Sequence, residues 1–571
     1  MKSTVLVEPH GGRLVNLRAD EERCLYLKNE SLNMPDIILN ERQFCDLELI
    51  STGAFSPLEG FMTRLDYESV LDNMRLSNDT LWPIPICLDI SEKQSENIDK
   101  GISVALRDHE GFLLAVMNVE DKWKVDREKE AIKIFGTKDL SHPGVNYLYN
   151  VTGDYYIGGS LEVLSLPLHF DFNQVRRTPA EIRSEYEKLG WKRVVGFKTR
   201  NPIHKAQFEM TTKAMRLAKA NLLFLPVVGM TKPGDFNHYT RVRCYRKISH
   251  YYPPESFMLN LLPLAIRFAS SRDALLHMII FKNYGCTHFI VGHDHAGPGK
   301  DSNGKSFYKS DEAQKLAEEY SDEVGVEVMP FKEMVYLPFE EEYCSSDQVS
   351  KGTETKSLSG SDIRKRIMSG KKIPEWATFP EVIEELRKAY PPPRLQGLTV
   401  FLTGLSGAGK STIAKVLFSR FMEIGERPVT LLDGDVVRQN LSSELNFSKE
   451  HRDINVRRIG FVAGKITKNR GIAICAPIAP YSGTRAEIRA EIEKYGGFIE
   501  VFVTTPIDEC ERRDRKGMYA KARAGLIKGY TGVDDPYEAP DLPEVSIDTT
   551  NLTPGEAAQE ILLYLGQKRY I

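Results

Sequence analysis

The sequence predicts a multidomain α/β protein. A mainly β N-terminal domain is expected over residues 1–170, a Rossmann-like doubly wound domain over 171–325 and a small linker subdomain over 326–394. A C-terminal phosphate-loop (P-loop) domain with a parallel sheet follows over 395–571. Three observations predict this. Apolar runs of strand length alternate with helix-like stretches twice, once from about residue 175 and again after residue 394. Between them lies YPPPR at 390–394, whose consecutive prolines cannot continue a helix and make a stiff link. The second alternation opens on LTVFLTGLSGAGKS, a strand running into a glycine-rich turn and a helix.

Residues 1–170 mix short β-like runs, WPIPICLDI and FLLAVMNV, with turns and few long helical periods. The pattern then changes at RTPAEIRSEYEKLG. Thr178 stands as a cap, Pro179 at the first helical position, Glu181 three residues after the cap, and Gly190 as the stop. RVVGF follows as a strand, then a helix over 203–219, the strand LLFLPVVG, a helix over 255–270 and the strand THFIVG. After the proline link come LTVFLTG, a helix over 410–422, VTLLDGD, a helix over 451–469, AICAPI, FIEVFVTT and VSIDTT. The dense charge at 508–523 reads as a solvated helix and loop, and no internal repeat is visible.

Composition narrows the class. A chain of 571 residues exceeds what one hydrophobic core supports. Its 41% hydrophobic and 27% charged residues are those of an ordinary globular protein. A net charge of −3 argues against a general nucleic-acid-binding surface. Cysteines 24, 45, 87, 244, 286, 344, 475 and 510 include no CxxC pair, so neither a disulfide framework nor a zinc site is expected, and a reducing cytoplasm fits. MKSTVLVEPHGG lacks the apolar core of a signal peptide, and no apolar run reaches membrane-spanning length, so no membrane association is expected.

The strongest chemical signal is GLSGAGKS at 404–411, in the strand–loop–helix context that its pattern requires. Glycines let backbone N–H groups converge on phosphate oxygens, and the helix N-terminus adds its positive end. On this reading Lys410 neutralises the β- and γ-phosphates of ATP, and the Ser411 hydroxyl ligates Mg²⁺. LLDGD places Asp433 and Asp435 where a second strand ends. Two acids there suit Mg²⁺ positioning and activation of an attacking hydroxyl, or cap the following helix. Arg438, Arg452, Arg457 and Arg458 point to an anionic acceptor, although for the last two a solvated helix face is the simpler reading.

GLSGAGKST, LLDGDVVR, NFSKEHRDINVRRIG and KGMYAKARAGLIKGYTGVDDPYEAP, in this order, resemble adenylyl-sulfate (APS) kinase across essentially all of 395–571. That family transfers the γ-phosphate of MgATP to the 3′-hydroxyl of adenosine 5′-phosphosulfate, giving PAPS. The resemblance implies that Gly404, Ser406, Gly407, Ala408, Gly409, Lys410, Ser411 and Thr412 hold ATP, with Asp433 on the Mg²⁺. It makes Asp435 the base at the 3′-hydroxyl. Arg438, Arg452 and Asn455 would hold the phosphosulfate, and Phe447 and Tyr530 would stack on its adenine. Ile478, Ala479, Lys516 and Gly529 complete the implied APS site, with Lys516 and Lys521 in a segment able to close over it. Ala479 stands where the family usually has serine, which excludes a phosphoserine intermediate there but leaves direct in-line transfer available.

The front of the chain resembles ATP sulfurylase (sulfate adenylyltransferase) over about 1–390, through GAFSPLEGFM, RTPAEIRSEYEKLGWKRVVGF, TKPGDFNHYTRVRCY, KNYGCTHFIVGHDHAGPGKDSNGKSFY and IPEWATFPEV. That enzyme joins sulfate to the α-phosphate of ATP, and its product is the substrate of the kinase. A bifunctional PAPS synthase-type arrangement is therefore implied. The family's catalytic turn usually reads Q-T-R-N-P-x-H-R-A-H. Thr199, Arg200, Asn201 and His204 match it, whereas Lys198 replaces Gln and Gln207 replaces the second His. Leu225 stands where His is usual and His293 where Arg is usual, while Gly292, Asp294, His295, Ala296 and Gly297 are kept. His293 is either a weakened phosphate ligand or a loop histidine with no catalytic duty.

The sequence thus predicts an APS kinase joined to a sulfurylase-like domain of weak or lost activity. The alternatives are a fully bifunctional enzyme acting on sulfate as well, and a C-terminal module that only binds PAPS as a regulator. Intact Lys410 and Ser411 speak against the last. The implied partners are ATP, APS and further copies of the chain, as a dimer or hexamer.

Overall fold

The computed structural model describes residues 6–231, 235–446, 448–514 and 517–571, without the side chain of Asp435. Phe447, Lys516 and that side chain therefore lie outside the described residues. The chain forms two compact units, Met1–Gly360 with Pro374–Glu385, and Ser361–Ile373 with Leu386–Ile571.

The first unit opens on a six-stranded sheet: β1 (Asp36–Ile38), β2 (Gly60–Phe61), β3 (Leu88–Ile90), β4 (Ser103–Arg107), β5 (Leu113–Lys124) and β6 (Tyr155–Val163), in the order β1-β4-β5-β6-β2 with β3 also on β6. Gly158 and Gly159 permit the tight crossing at its centre. A Cβ on either would lie 1.9 Å from a backbone oxygen, of Met62 or of Asn118.

A second sheet follows: β7 (Val194–Thr199), β8 (Asn221–Pro226), β9 (Phe257–Leu259), β10 (His288–Gly292) and β11 (Glu327–Phe331). All pairs are parallel, in the order β11-β10-β7-β8-β9. The winding reverses between β7 and β10, so the crevice for a ligand opens at the carboxyl ends of those two strands. The Pro179–Leu189 helix before β7 carries the predicted capping box. Thr178 N–H donates to the Glu181 carboxylate at 2.7 Å, Glu181 N–H donates to Thr178 Oγ1 at 3.3 Å, and Gly190 ends the helix at φ 69°. A hairpin, β12 (Met334–Leu337) with β13 (Glu342–Ser345), completes the strands of this unit among the described residues.

One expected element is corrected. Residues 255–270 are not a helix: they hold β9 and then an irregular segment, and the helix begins later, at Ser271–Asn283. Pro263 has no N–H to give a helix and its ring opposes the preceding turn. The Phe257–Leu259 stretch instead pairs with β8. The His238–Ile248 helix was not foreseen, because HYTRVRCYRKI shows little apolar stripe. Asn237 caps it through Thr240 N–H at 2.9 Å.

The second unit is built on β14 (Gly397–Gly404), β15 (Val429–Asp433), β16 (Ile472–Ala476), β17 (Gly496–Val503) and β18 (Val545–Ile547), parallel in the order β15-β16-β14-β17-β18. Central β14 is buried along its whole length and delivers the glycine-rich turn to the middle of the sheet's carboxyl edge. The Lys410–Ile424 helix leaves that turn and packs back on the sheet through Ile413, Ala414, Leu417 and Phe421. No helix among the described residues is long and apolar enough to cross a membrane.

Gly397 starts β14 with backbone from a neighbouring helix pressed against it, and an added Cβ would lie 1.8 Å from Thr467 O. Gly397→Ala is expected to lower stability by about 2 kcal/mol or more. Urea unfolding followed by circular dichroism checks this, and an unchanged midpoint contradicts it.

Candidate functional site

The phosphate loop is fixed by its backbone. Gly404, Gly407 and Gly409 hold φ of 142°, 76° and 106°, values that side chains rarely adopt. Neighbours close around it as well: a Cβ on Gly404 would meet Val503 O at 2.5 Å, and one on Gly407 would meet Cys510 O at 2.9 Å. Buried Lys410 donates from Nζ to Leu405 O at 2.6 Å, folding its ammonium back across the loop. Thr505 and Thr549 hydroxyls donate to Ala408 O at 3.2 and 2.9 Å, and the Tyr519 hydroxyl donates to Ser406 O at 2.9 Å. Gly409 N-caps the Lys410–Ile424 helix, leaving Ser411 and Thr412 exposed in its first turn. The result is a glycine-shaped turn with one cation at a helix N-terminus, an arrangement suited to phosphate.

The residues implied for APS assemble beside this loop. Asp433 ends β15 in register with Ala476, and the Gly434–Leu441 helix starts directly after it. Ile478 O accepts from the Thr403 hydroxyl at 2.7 Å, which fixes the segment after β16 against β14. Ala479, at φ 47°, lies on the same segment. Arg452 donates to Thr531 Oγ1 at 2.7 Å and to the Tyr481 hydroxyl at 3.1 Å, and pairs with Asp535 at 2.9 Å. One turn further along the same helix stands Asn455. Arg452 Nε and Asn455 Oδ1 are buried without hydrogen-bond partners among the described residues, the state expected of groups that await a polar ligand. Gly529 and Tyr530 N–H groups are both held by the Asp534 carboxylate. The Tyr530 ring stands edge-on to Tyr519 at 5.1 Å, and Tyr519 in turn bonds to Ser406 of the phosphate loop. Arg438 instead donates to Leu445 O and Asn446 O, at 3.2 and 2.9 Å. Tyr519, Tyr481, Thr531 and Asp535 escaped the sequence reading because side chains that support a site carry no motif of their own.

In the first unit the turn after β7 and the turn after β10 meet at the switch point of the second sheet. Thr199 Oγ1 and the Asn201 backbone close the turn on themselves, and the Tyr245 hydroxyl donates to Asn201 O at 2.7 Å. Arg200 lies 3.9 Å from the Asp235 carboxylate and over the Phe268 ring at 5.1 Å. Buried His204 bonds through Nδ1 to Thr378 Oγ1 at 2.8 Å, and burial pushes its pKa down to about 4, so it is neutral near pH 7. The Gln207 side-chain oxygen accepts from His204 N–H at 3.0 Å, which makes it a helix cap. Leu225 is fully buried opposite Lys198 in the β7–β8 register.

Beneath the turn His295, one of the residues kept from the sulfurylase pattern, meets two that the sequence did not single out, Asp273 and His277. His277 Nδ1 and His295 Nε2 share one hydrogen bond of 2.8 Å, and Asp273 Oδ1 lies 3.8 Å from His277 Nε2. Burial, and then the charge of Lys198, hold both imidazoles far below their ordinary pKa. Lys198 itself is pushed down to about 7, first by burial and further by Arg200, against the opposing pull of Asp273. His293 is half-buried and Asp294 exposed on the β10 turn. Ala296 at φ 53° and the contact of Gly297 with Asp294, where a Cβ would lie 2.1 Å from Oδ1, shape that turn after Gly292. A cavity of about 550 Å³ elsewhere in this unit is lined by β11, Lys213 and Gln314 and includes none of these residues.

Comparison with known proteins agrees with this two-site layout. Residues 7–166 match the PUA-like domain, 173–389 match ATP-sulfurylase and 396–548 match adenylylsulphate kinase. A sulfate adenylyltransferase of Phaeosphaeria nodorum is 48% identical over 98% of both chains, and one of Mycosarcoma maydis is also 48% identical over 98% of both. The solved structure of a hexameric APS kinase from Thiobacillus denitrificans is 40% identical, with a TM-score of 0.82 over 99% of this chain and 100% of that one.

The depressed pKa of Lys198 has a direct readout. The neutral amine is the nucleophile, so acylation of Lys198 should rise through pH 7 and level off by about pH 8.5, whereas ordinary lysines, with pKa near 10.4, are still rising there. Peptide mass spectrometry after brief acetic-anhydride pulses checks this, and a midpoint near that of ordinary lysines contradicts it.

Proposed function

The chain belongs to the sulfate adenylyltransferase family, in which an ATP-sulfurylase domain and an adenylylsulphate kinase domain share one polypeptide, and from that premise we propose that its principal activity is APS kinase, with a sulfurylase site of weak or lost activity. The observation that carries the reading is the asymmetry of charge between the two sites. One keeps its phosphate loop and lysine intact. In the other, Gln207 caps a helix, Leu225 is buried, and burial holds His204 and His295 neutral.

At the kinase site the loop of Gly404, Ser406, Gly407, Ala408 and Gly409 receives the β- and γ-phosphates, with the Gly404 and Ala408 amides bonded to Ile478 O and Leu405 O and so shaping the loop. Lys410 moves from Leu405 O onto them, offsetting the charge that builds up on the transferring phosphoryl group. The oxygen donors of Ser411 and Asp433 suit Mg²⁺, which takes one or two protein ligands and fills its shell with phosphate oxygens and water. Held by Ser411 and Asp433, Mg²⁺ would supply positive charge against the phosphates. Asp435 accepts the proton of the 3′-hydroxyl. Arg438, Arg452 and Asn455 hold the phosphosulfate, and Phe447 and Tyr530 stack on the adenine, with Ile478, Ala479, Gly529 and Lys516 around it.

In the sulfurylase-like site, Thr199, Arg200, Asn201, His204, His293 and His295 remain to receive a triphosphate. Losing one preorganised donor costs about 2.7–4 kcal/mol, so the loss of two removes roughly a factor of 10⁴ or more from the rate. Lys198, its pKa pushed down to about 7, returns only part of a charge near neutral pH, and as a point charge it does not reproduce the planar amide. A fully bifunctional enzyme is the second reading, favoured by the name the curated relatives carry. A regulatory module that only binds PAPS is the third, and intact Lys410 and Ser411 count against it. Assembly as a homo-oligomer, dimer or hexamer, is supported by the hexameric relative.

Two assays on the purified protein test the proposal. APS-dependent ADP release should proceed at ordinary kinase rates, and Lys410→Ala should abolish it without unfolding the chain. ATP formation from APS and pyrophosphate should be slower by roughly 10⁴ than in a competent sulfurylase. Equal rates would overturn the ranking. Combining Lys198→Gln, Gln207→His, Leu225→His and His293→Arg should raise that second rate, and no gain would refute the diagnosis of the site.

A further inference from the structure

We propose that the buried Arg267–Asp46 ion pair is a positioning device for nucleotide binding. It holds Phe268 in a left-handed conformation with its ring beneath the Arg200 guanidinium, so that Arg200 is presented to a triphosphate. The inference rests on the reading that the turn after β7 receives one.

The segment between β9 and the Ser271–Asn283 helix is buried at every residue from Leu264 to Ser270. Two of its side-chain-bearing residues adopt positive φ, Phe268 at 65° and Ser270 at 43°. A bulky residue in that region is an outlier that persists only where its surroundings over-determine it. Here they do. Arg267 donates to both oxygens of Asp46, at 2.7 and 2.5 Å, and to Ala265 O at 2.6 Å. Asp46 lies on the Glu41–Ser51 helix, packed with the first sheet, and is buried like Arg267. On the far side, Ala269 N–H donates to Asp273 Oδ2 at 2.8 Å. Gly144 lets the backbone come close, since a Cβ there would lie 2.7 Å from Arg267 O.

Phe268 is thus pinned on both sides, and its ring lies 5.1 Å from the Arg200 guanidinium carbon. An aromatic face under a guanidinium fixes its plane while leaving its N–H edge for other partners. A buried ion pair is in itself weak evidence for stability, and it has better-attested uses in specifying a conformation. The N-terminal sheet domain would therefore act as part of the nucleotide site through Asp46.

The test uses the full chain in a Lys410→Ala background, which removes the kinase site's main phosphate cation. ATP is titrated by calorimetry, and adenosine is measured in competition. Phe268→Leu is expected to weaken ATP binding about tenfold and to leave adenosine unchanged, since only the phosphates meet Arg200. Asp46→Asn should reproduce that selective loss, Phe268→Tyr should restore ATP binding, and APS kinase activity in the Lys410-intact protein should not change. Equal weakening of ATP and adenosine would mean a general structural role and overturn the proposal, as would unaltered ATP binding in Phe268→Leu. If the background protein with native Phe268 binds no ATP, the reading of the turn falls and the proposal with it.

Discussion

A phosphate group can be held by a protein backbone only where consecutive N–H groups converge, and such convergence demands conformations that ordinary residues resist. The loop from Gly404 to Gly409 meets that demand with three glycines at positive φ. It keeps its shape through hydrogen bonds from Thr505, Thr549, Tyr519 and Lys410 to its own carbonyls. The strand order of the second unit serves this loop. Placing β14 in the middle of a parallel sheet sets the turn at the carboxyl edge, with the ends of β15 and β16 beside it. Asp433 and the segment carrying Ile478 and Ala479 are there because the sheet puts them there.

The first unit shows how little of this depends on fold alone. Its second sheet also reverses its winding beside a polar turn, at the position where α/β sheets bind nucleotides. Yet several polar groups around this turn are already engaged within the protein: His204 Nδ1 by Thr378, Gln207 by the His204 backbone, and His295 Nε2 by His277. Buried imidazoles held neutral offer hydrogen bonds but no charge, and a transition state that gathers negative charge needs the charge. On the proposed reading this site keeps the shape of a nucleotide site with less charge than the transfer needs, and the Arg267–Asp46 pair serves to hold its turn.

What the sequence disclosed was mostly local. The capping box at Thr178 and Glu181 was readable because its partners stand three residues apart. The phosphate loop was readable because glycine positions encode backbone conformation directly. The helix expected over 255–270 failed because an apolar run has no direction of its own, and Pro263 together with the β8 edge decided the matter. The His238–Ile248 helix was missed because its polar, aromatic face gave no stripe. Pairs such as Tyr519 with Ser406, His204 with Thr378 and Arg267 with Asp46 join residues far apart in the chain, and no spacing rule reaches them. The N-terminal β runs were visible as strands, but their order in the first sheet depends on long-range pairing.

The asymmetry between the two sites is tested most directly by isotope flow. The purified protein is supplied with labelled sulfate, MgATP and pyrophosphatase, and nothing else. The expected result is almost no labelled PAPS until an independent sulfurylase is added, after which label should pass rapidly into PAPS. Rapid labelling of PAPS by this chain alone would contradict the claim that one of its sites has kept its phosphate chemistry and the other has lost most of it.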